Sequence, residues 1–402
     1  MSKVRRWLRS SRLLTWAIER IIEFKIPDDL IVKLGLVYLQ SGGSKKSYDA
    51  VLKKTVQTVK LNDNLAEVQL SKSAVIKAPI GKEKGVIVVG FEHELNKLLH
   101  HSAFQEICDQ YNILFMPTWQ PFYSVELLRF LKLRPDAITV LPSSWQCYFN
   151  SINNPGLIKV LPFHASSWID ETIYQPETKT IDILMVANFS IYKRHHLLFS
   201  ALKELPENLN VLLVGRQLKD RTADDLLAEA DTYGVKHRFK LIESPSDDEV
   251  RNYLCQAKLV LGLSGREGSY VSLAEALFAG AAVAVFSDAY IGSKNYINPH
   301  TGFLLDSEKS LAVQIKTCLQ LAQTLTPREW AIQNISTQFN NVRLNALLKH
   351  KAESNGELWT KECDAFRIQS FQFEPMSGAW SSEVNNAVQH LYNNGVKLKV
   401  QL

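Results

Sequence analysis

Between Ile183 and Phe286, short apolar runs and helix-length segments alternate in a way that few folds accommodate. The runs Ile183–Ala187, Val211–Val214, Phe239–Ile242, Leu259–Leu263 and Ala282–Phe286 are too short for helices and too continuous for strands wetted on one face. The segments between them, His195–Leu205, Ala223–Tyr233, Asp247–Gln256 and Ser269–Ala279, have helical character. Strands apolar on both faces must be covered on both, and successive parallel strands need a crossover helix. The stretch therefore predicts a doubly wound α/β domain. A second set of runs, Gly85–Gly90, Ile113–Met116, Ile138–Leu141 and Leu157–Leu161, predicts another α/β unit, with helices over Glu94–Tyr111 and Val125–Leu133. Ala66–Ile76 alternates like a strand, and Tyr48–Lys60 reads as a helix.

A chain of 402 residues exceeds what one core usually serves, which agrees with two units. The division read from these patterns is a basic amphipathic helix over 1–25, an N-terminal α/β domain over 26–165 and a polar, aperiodic linker over 166–180. A second α/β domain follows over 181–370, then a helical segment, 371–402, expected to return to the first domain. Residues 308–400 read as mainly helical, broken at Pro327, Gly356 and Pro375–Gly378.

Charge narrows the choice of partner. Residues 1–25 hold seven basic side chains against Glu19 and Glu23, a surplus of five that accounts for the whole net charge of +5. The rest of the chain is neutral, so a general nucleic-acid-binding surface is not expected. The terminal stripe of Trp7, Leu8, Leu14, Ile18, Ile21 and Ile22, with arginines beside it, suits an anionic membrane surface as well as docking on its own domain. No apolar run reaches the length of a membrane span. The five scattered cysteines fit a reducing compartment. The expected location is the cytoplasm, peripheral on the inner face of the cell membrane if the terminal helix binds lipid.

Chemistry concentrates where strand Leu259–Leu263 meets Ser264-Gly265-Arg266-Glu267-Gly268-Ser269. Ligands of open α/β sheets bind beyond the carboxyl ends of strands. A helix starting there, with Ser269 as N-cap and Gly280 as its C′ stop, would turn the N–H groups of Gly268, Ser269 and Tyr270 toward that crevice. Such donors and the helix dipole suit a phosphate. Glu267 and Glu275, eight positions apart, cannot bind phosphate and are expected to address hydroxyls, one on a ribose and one on a sugar. The plainer reading makes them a loop residue and a buried capping or salt-bridge partner. The strand, small-residue turn and helix around them favour the site.

The run SGREGSYVSLAEALFAGAAVAVFSD resembles the signature of the retaining glycosyltransferases called group 1, or family 4, which have the GT-B fold. Leu161–His164 with Tyr174-Gln175-Pro176 resembles that family's linker motif. MVANFSIYKRHHLLFSAL resembles its strand, phosphate loop and helix, and Thr301–Leu304 its Thr-Gly-hydrophobic-hydrophobic strand. The resemblance covers roughly 110–310 and implies two Rossmann-like domains facing each other across a cleft. It implies that Glu267 contacts the donor sugar, that Glu275 contacts the ribose and that Lys193 stabilises the departing diphosphate. Arg194 is placed to assist, because Asn188 stands where the family usually has Arg. The base is expected along Phe239–Glu243, near Ile242.

The activity implied is transfer of a hexose-type sugar, with retention, from a nucleoside-diphosphate sugar to an acceptor hydroxyl on a glycan, lipid-linked saccharide or other polysaccharide precursor. Neither a cofactor beyond the donor substrate nor a metal is expected, since no hydrophobic-Asp-x-Asp pattern occurs. The acceptor falls to the N-terminal domain, where His93 follows the GVIVVG strand and could orient or deprotonate a hydroxyl. Pro117–Tyr123 adds aromatic rings. The family's Gly-Gly loop is not evident in that domain. With Asn188, its absence keeps open a catalytically inactive GT-B protein that binds a nucleotide sugar or glycan. A membrane-assembly protein recruited by residues 1–25 is a third reading.

Overall fold

The computed structural model describes residues 65–116, 126, 130, 133–134, 139–142, 157–160, 165–218, 221–265, 267–289, 291–369, 372–399 and 401. The expected terminal helix, the helix over Tyr48–Lys60 and Pro117–Tyr123 lie outside these residues, as do Leu161–His164 and most of Val125–Leu133.

The N-terminal unit contains β1 (Val68–Leu70), β2 (Ser73–Lys77), β3 (Gly85–Gly90), α1 (Glu92–Leu99), α2 (Phe104–Gln110), β4 (Tyr111–Met116), β5 (Thr139–Pro142) and β6 (Leu157–Val160). β3 pairs with β2 antiparallel and with β4 parallel, and β5 pairs with β6 parallel. The single strand expected over Ala66–Ile76 is two, separated by a bend at Ser71-Lys72. The helix expected over Glu94–Tyr111 is also two. It breaks at His100–Ala103, and Tyr111 already belongs to β4, where its ring packs into the core.

Why GVIVVG carries no polar residue is visible in its two faces. Val75, Ile87, Val89, Ile113 and Phe115 pack against α1, α2 and the C-terminal end of the chain. Ala74, Ile76, Val86, Val88, Leu114 and Met116 pack against Trp168, Leu344, Leu348, Phe366 and Phe373. Period-two alternation therefore divides apolar side chains between two cores.

Residues 165–180 are not featureless. They hold two 3-10 turns, Ala165–Trp168 and Glu171–Ile173. The second domain follows with β7 (Ile181–Val186), α3 (His195–Leu202), β8 (Val211–Gly215), α4 (Ala223–Thr232), β9 (Lys240–Glu243), α5 (Asp247–Gln256), β10 (Ala257–Gly262), α6 (Val271–Phe278), β11 (Ala282–Phe286), β12 (Gly302–Leu305), α7 (Leu311–Leu321) and α8 (Pro327–Ile335). Local chemistry sets several starts: Thr222 with Asp225, and Ser246 with Glu249, form reciprocal capping boxes at α4 and α5. The six strands form one parallel sheet in the order β12-β11-β10-β7-β8-β9. α3 contacts α4 and α7, whereas α6 contacts α5 and α8, so helices cover both faces.

The chain then leaves this domain. α9 (Thr337–Ser354) packs Leu344, Leu348 and Ala352 on the N-terminal sheet, together with the hairpin β13 (Phe366–Gln369) and β14 (Gln372–Pro375). α10 (Ser382–Asn393) and β15 (Val396–Leu398) complete the other face, β15 pairing parallel with β1. The helical reading of 308–400 thus missed three strands. Their alternating pattern is short and lies among polar residues. The segment 371–402 ends in the N-terminal unit, but α9 and β13 already belong to that core.

Candidate functional site

β10 and β7 are neighbours in the sheet, yet their crossovers diverge. β7 leads through α3 to β8 on one side, and β10 through α6 to β11 on the other. The ends of these two strands form the point where strand order reverses, and the loops leaving them face one crevice. That topology brings Lys193 and Glu267 together: Lys193 Nζ donates to Glu267 Oε1 at 2.6 Å. Lys193 is 6% exposed. Its ammonium also lies 4.4 Å from the Tyr270 ring centroid and 5.1 Å from that of Tyr192. The cation is held by one carboxylate and two π faces.

Arg194 adopts left-handed backbone geometry (φ 59°) and heads α3. Its guanidinium lies against Gly265, where a Cβ would meet Arg194 Nη2 at 2.4 Å. A side chain at Gly265 would therefore displace the Arg194 guanidinium. His195 is buried next to it, and its Nδ1 finds no hydrogen-bond partner among the described residues. Burial, with Arg221, Lys193 and His196 nearby, pushes its pKa down to about 3, so it is a neutral ring at physiological pH.

The α6 N-terminus differs from expectation. The N-cap is Tyr270, in left-handed geometry (φ 49°), with no side-chain cap; Ser269 lies one residue outside the cap and is buried. The loop is instead pinned through its carbonyls. Gly292 N–H donates to Gly268 O at 2.8 Å, Ser293 N–H to Ser269 O at 3.2 Å, and the Ser293 hydroxyl to Ser269 O and, at 2.9 Å, to Tyr270 O. The N–H groups of Gly268, Ser269 and Tyr270 meet no acceptor among the described residues. Three donors at an uncapped helix start, beside Lys193 and Arg194, make an anion-binding end. At the far end Gly280 (φ 71°) closes α6, with Ala281 N–H bonded to Ala276 O at 2.9 Å.

Glu275 lies one turn further along α6 and lines a cavity of about 410 Å³. Polar groups from α5 (Asp247, Asp248, Arg251) and apolar groups from the linker and β13 (Ile169, Ile173, Ile368) also line it. Burial pushes the Glu275 pKa up to about 7, with Asp247 adding to the rise and the Tyr174 hydroxyl, on the same cavity wall, opposing it. Tyr174, in the linker motif, is a neighbour that sequence order does not reveal.

The remaining residues stand apart. The Asn188 side chain bonds within its own loop, to Ser190 and Tyr192. Its Oδ1 accepts from Ser190 N–H at 3.1 Å and its amide donates to the Tyr192 hydroxyl at 3.1 Å. Ile242 is half-buried on the outermost strand, packed on the core, and does not line the cavity at Glu275. His93 is exposed in the first turn of α1, 3.4 Å from buried Glu94, and no contact joins it to Lys193 or Glu267 among the described residues. No three His, Cys, Asp or Glu side chains among the described residues could hold a metal ion. None of the described helices is long and apolar enough to cross a membrane.

Residues 167–333 match the family model described as glycosyl transferases group 1. A GDP-mannose:cellobiosyl-diphosphopolyprenol alpha-mannosyltransferase of Komagataeibacter xylinus is 33% identical over 101 residues, which are 24% of this chain and 25% of that protein. The chain thus matches only a quarter of that relative's length. Among solved structures, Anabaena HepE in complex with UDP superposes with a TM-score of 0.54 at 15% identity, over 65% of this chain and 78% of that one. Sucrose-phosphate synthase from Thermosynechococcus elongatus gives 0.51 at 15%, over 67% and 74%. These similarities establish the GT-B architecture.

Proposed function

We propose that this chain, whose residues 167–333 match the model of the group 1 glycosyl transferases, transfers a sugar from a nucleoside-diphosphate sugar to an acceptor hydroxyl, with retention of anomeric configuration. The observation that carries this reading is the Lys193–Glu267 pair, 2.6 Å apart, beside the open α6 N-terminus. A donor diphosphate fits against the N–H groups of residues 268–270, with Lys193 and Arg194 meeting the charge that develops as the bond to the sugar breaks. Glu267 then accepts hydrogen bonds from the donor sugar's hydroxyls, and Glu275 from the ribose.

In this reading the acceptor oxygen attacks on the face the diphosphate leaves. The new C–O bond forms as the old one breaks, the electron pair goes to the phosphate oxygen, and the acceptor proton follows it. No enzymatic carboxylate pair at glycosidase spacing is required, and the charge is met by side-chain cations and backbone donors, so the reading assigns no role to a metal. A glycan or lipid-linked saccharide is the acceptor class we favour, because the Komagataeibacter relative is named for a diphosphopolyprenol-linked acceptor. Location at an anionic membrane face through residues 1–25 belongs to the same proposal.

One observation favours a second reading, a protein that binds nucleotide sugar without turning it over: Asn188 is committed to Tyr192 and supplies no charge. A thermal-shift screen against UDP-, GDP-, ADP- and dTDP-sugars tests the donor site, since a ligand of the native state raises apparent stability. Product analysis with the donor that shifts melting separates transfer from binding alone. No shift with any donor overturns both readings.

A further inference from the structure

Between β11 and β12 the chain makes a 3-10 turn, Gly292–Tyr296, in which Gly292, Ser293 and Tyr296 are buried. Its first end holds the loop before α6. Gly292 N–H and Ser293 N–H bond Gly268 O and Ser269 O, and the Ser293 hydroxyl is shared between Ser269 O and Tyr270 O. In a planar trans peptide the C=O of one residue points opposite to the N–H of the next. Holding the carbonyls of residues 268–270 therefore aims the N–H groups of Ser269, Tyr270 and Val271 away from the turn. The other end of the turn reaches the joint between the domains. The buried Tyr296 hydroxyl shares hydrogen bonds with Ser167 Oγ at 2.9 Å and Ser166 Oγ at 3.4 Å. Asn340 of α9 donates to Ser167 O at 2.6 Å, and Thr337 to Ile169 O at 2.7 Å. Trp168, the next residue, lies in the N-terminal core, stacked on Phe366 with centroids 5.2 Å apart. One short turn thus touches the loop before α6 at one end and, at the other, a linker segment anchored in the N-terminal unit.

We propose that Ser293 is a positioning residue for the donor diphosphate, and that Tyr296 sets Ser293 from the linker. The inference rests on the reading that the N–H groups at the α6 start receive the diphosphate. Tyr270, the N-cap, has left-handed geometry and no side-chain cap, so no capping side chain holds the first peptide groups of α6. Ser293 does so from outside the helix. At 1% exposure it is too deep to touch a donor itself, and it acts through the peptide planes it fixes. A small displacement of those planes weakens each hydrogen bond they offer a phosphate, because such bonds depend steeply on distance and angle. Tyr296 contributes at longer range. Its ring packs near Trp330 of α8, with centroids 6.4 Å apart, and its carbonyl accepts from Thr301 Oγ1 at 2.6 Å, while its hydroxyl reaches the linker. Loss of that hydroxyl releases one end of the turn and leaves its packing in place.

The test is calorimetric titration of the full chain with UDP, GDP and ADP, and competition by the parent nucleoside of whichever binds best. In Ser293→Ala the backbone N–H still holds Ser269 O, so the loop is loosened rather than released. This variant lowers affinity for the diphosphate by roughly tenfold, the order of one hydrogen bond to a charged group, and leaves affinity for the nucleoside unchanged. Tyr296→Phe keeps the ring and lowers diphosphate affinity by about threefold, with the same selectivity. The double variant binds the diphosphate no more weakly than Ser293→Ala, because both changes act through one turn. Ser167→Ala removes the linker bond from the other side and serves if Tyr296→Phe melts early. Equal losses for nucleoside and diphosphate in Ser293→Ala, or no loss at all, overturn the positioning role. Wild-type diphosphate affinity in both Tyr296→Phe and Ser167→Ala, or full additivity with Ser293→Ala, overturns the connection to the linker. Wild-type protein that binds the nucleoside as tightly as its diphosphate, or binds none of these ligands, overturns the diphosphate reading itself.

Discussion

Lys193 Nζ and Glu267 Oε1 are 2.6 Å apart although 74 residues of chain separate them. The side chains are 8% and 12% exposed, so each charge depends on the other. Removing one partner of a buried pair leaves an uncompensated charge, costing about 3–5 kcal/mol. Lys193→Gln should therefore lower stability by roughly 3 kcal/mol in urea unfolding. It should also lower the transfer rate at saturating donor by about 10²–10³-fold. Glu267→Gln should separate the two roles: transfer falls, while free nucleoside diphosphate binds at least as tightly, because Lys193 is no longer neutralised. Weaker nucleotide binding in that variant would place Glu267 at the phosphates.

Gly265 and Arg194 form a second pair whose coupling can be measured. A Cβ at Gly265 collides with the far end of a flexible side chain, so Gly265→Ala should cost little stability but displace the guanidinium. Nucleotide affinity should then fall about as far as in Arg194→Ala. Residues in direct contact give non-additive effects, so the double variant should be no weaker than either single one. Full additivity in calorimetry would disprove the assigned contact.

Asn188 is expected to act through Tyr192, whose ring is 49% exposed beside Lys193. Asn188→Ala frees the Tyr192 hydroxyl and one backbone N–H. It should raise KM for the donor by roughly three- to tenfold, the cost of about one hydrogen bond, with kcat nearly unchanged. A fall in kcat with KM constant would show Asn188 acting on the leaving group itself.

In the N-terminal unit, Lys77 Nζ lies 2.6 Å from Glu83 and 3.2 Å from the Trp359 ring centroid, with both charges buried. Burial raises the Glu83 pKa, but Lys77, Thr360 and Lys361 outweigh it and hold the value at about 2. A carboxylate depressed in the folded state contributes stability above its unfolded pKa, and that contribution fades as pH falls through the folded value. Wild-type stability should thus decline from about pH 4.5 toward about pH 2 through this group. Glu83→Gln should be less stable at neutral pH and lack this component, as read by urea midpoints across the range.

The alternation of apolar runs was enough to place α5 and β11 at their observed bounds, because runs covered on both faces are hard to confuse with anything else. Elsewhere local pattern and local structure parted. Ser269 has the chemistry of an N-cap, but Tyr270 takes that place, since Ser293 bonds the carbonyls of both residues and turns the loop. The helical reading of 308–400 found α10 but missed β15, which is a strand only by virtue of pairing with β1, more than three hundred residues earlier.

What the sequence determined by itself is the α/β class, the order of elements in the second domain and the loop whose composition suits a diphosphate. All three rest on short-range patterns: the periods of apolar residues, and glycine beside small polar residues at a strand end. What tertiary structure decided is which side chains meet. Lys193 reaches Glu267 because β7 and β10 are adjacent with diverging crossovers, Arg194 fills the space of a Gly265 side chain, and Tyr174 lines one cavity with Glu275. Contacts of this kind depend on strand order and on how helices pack across a sheet, and no local period of the chain encodes them.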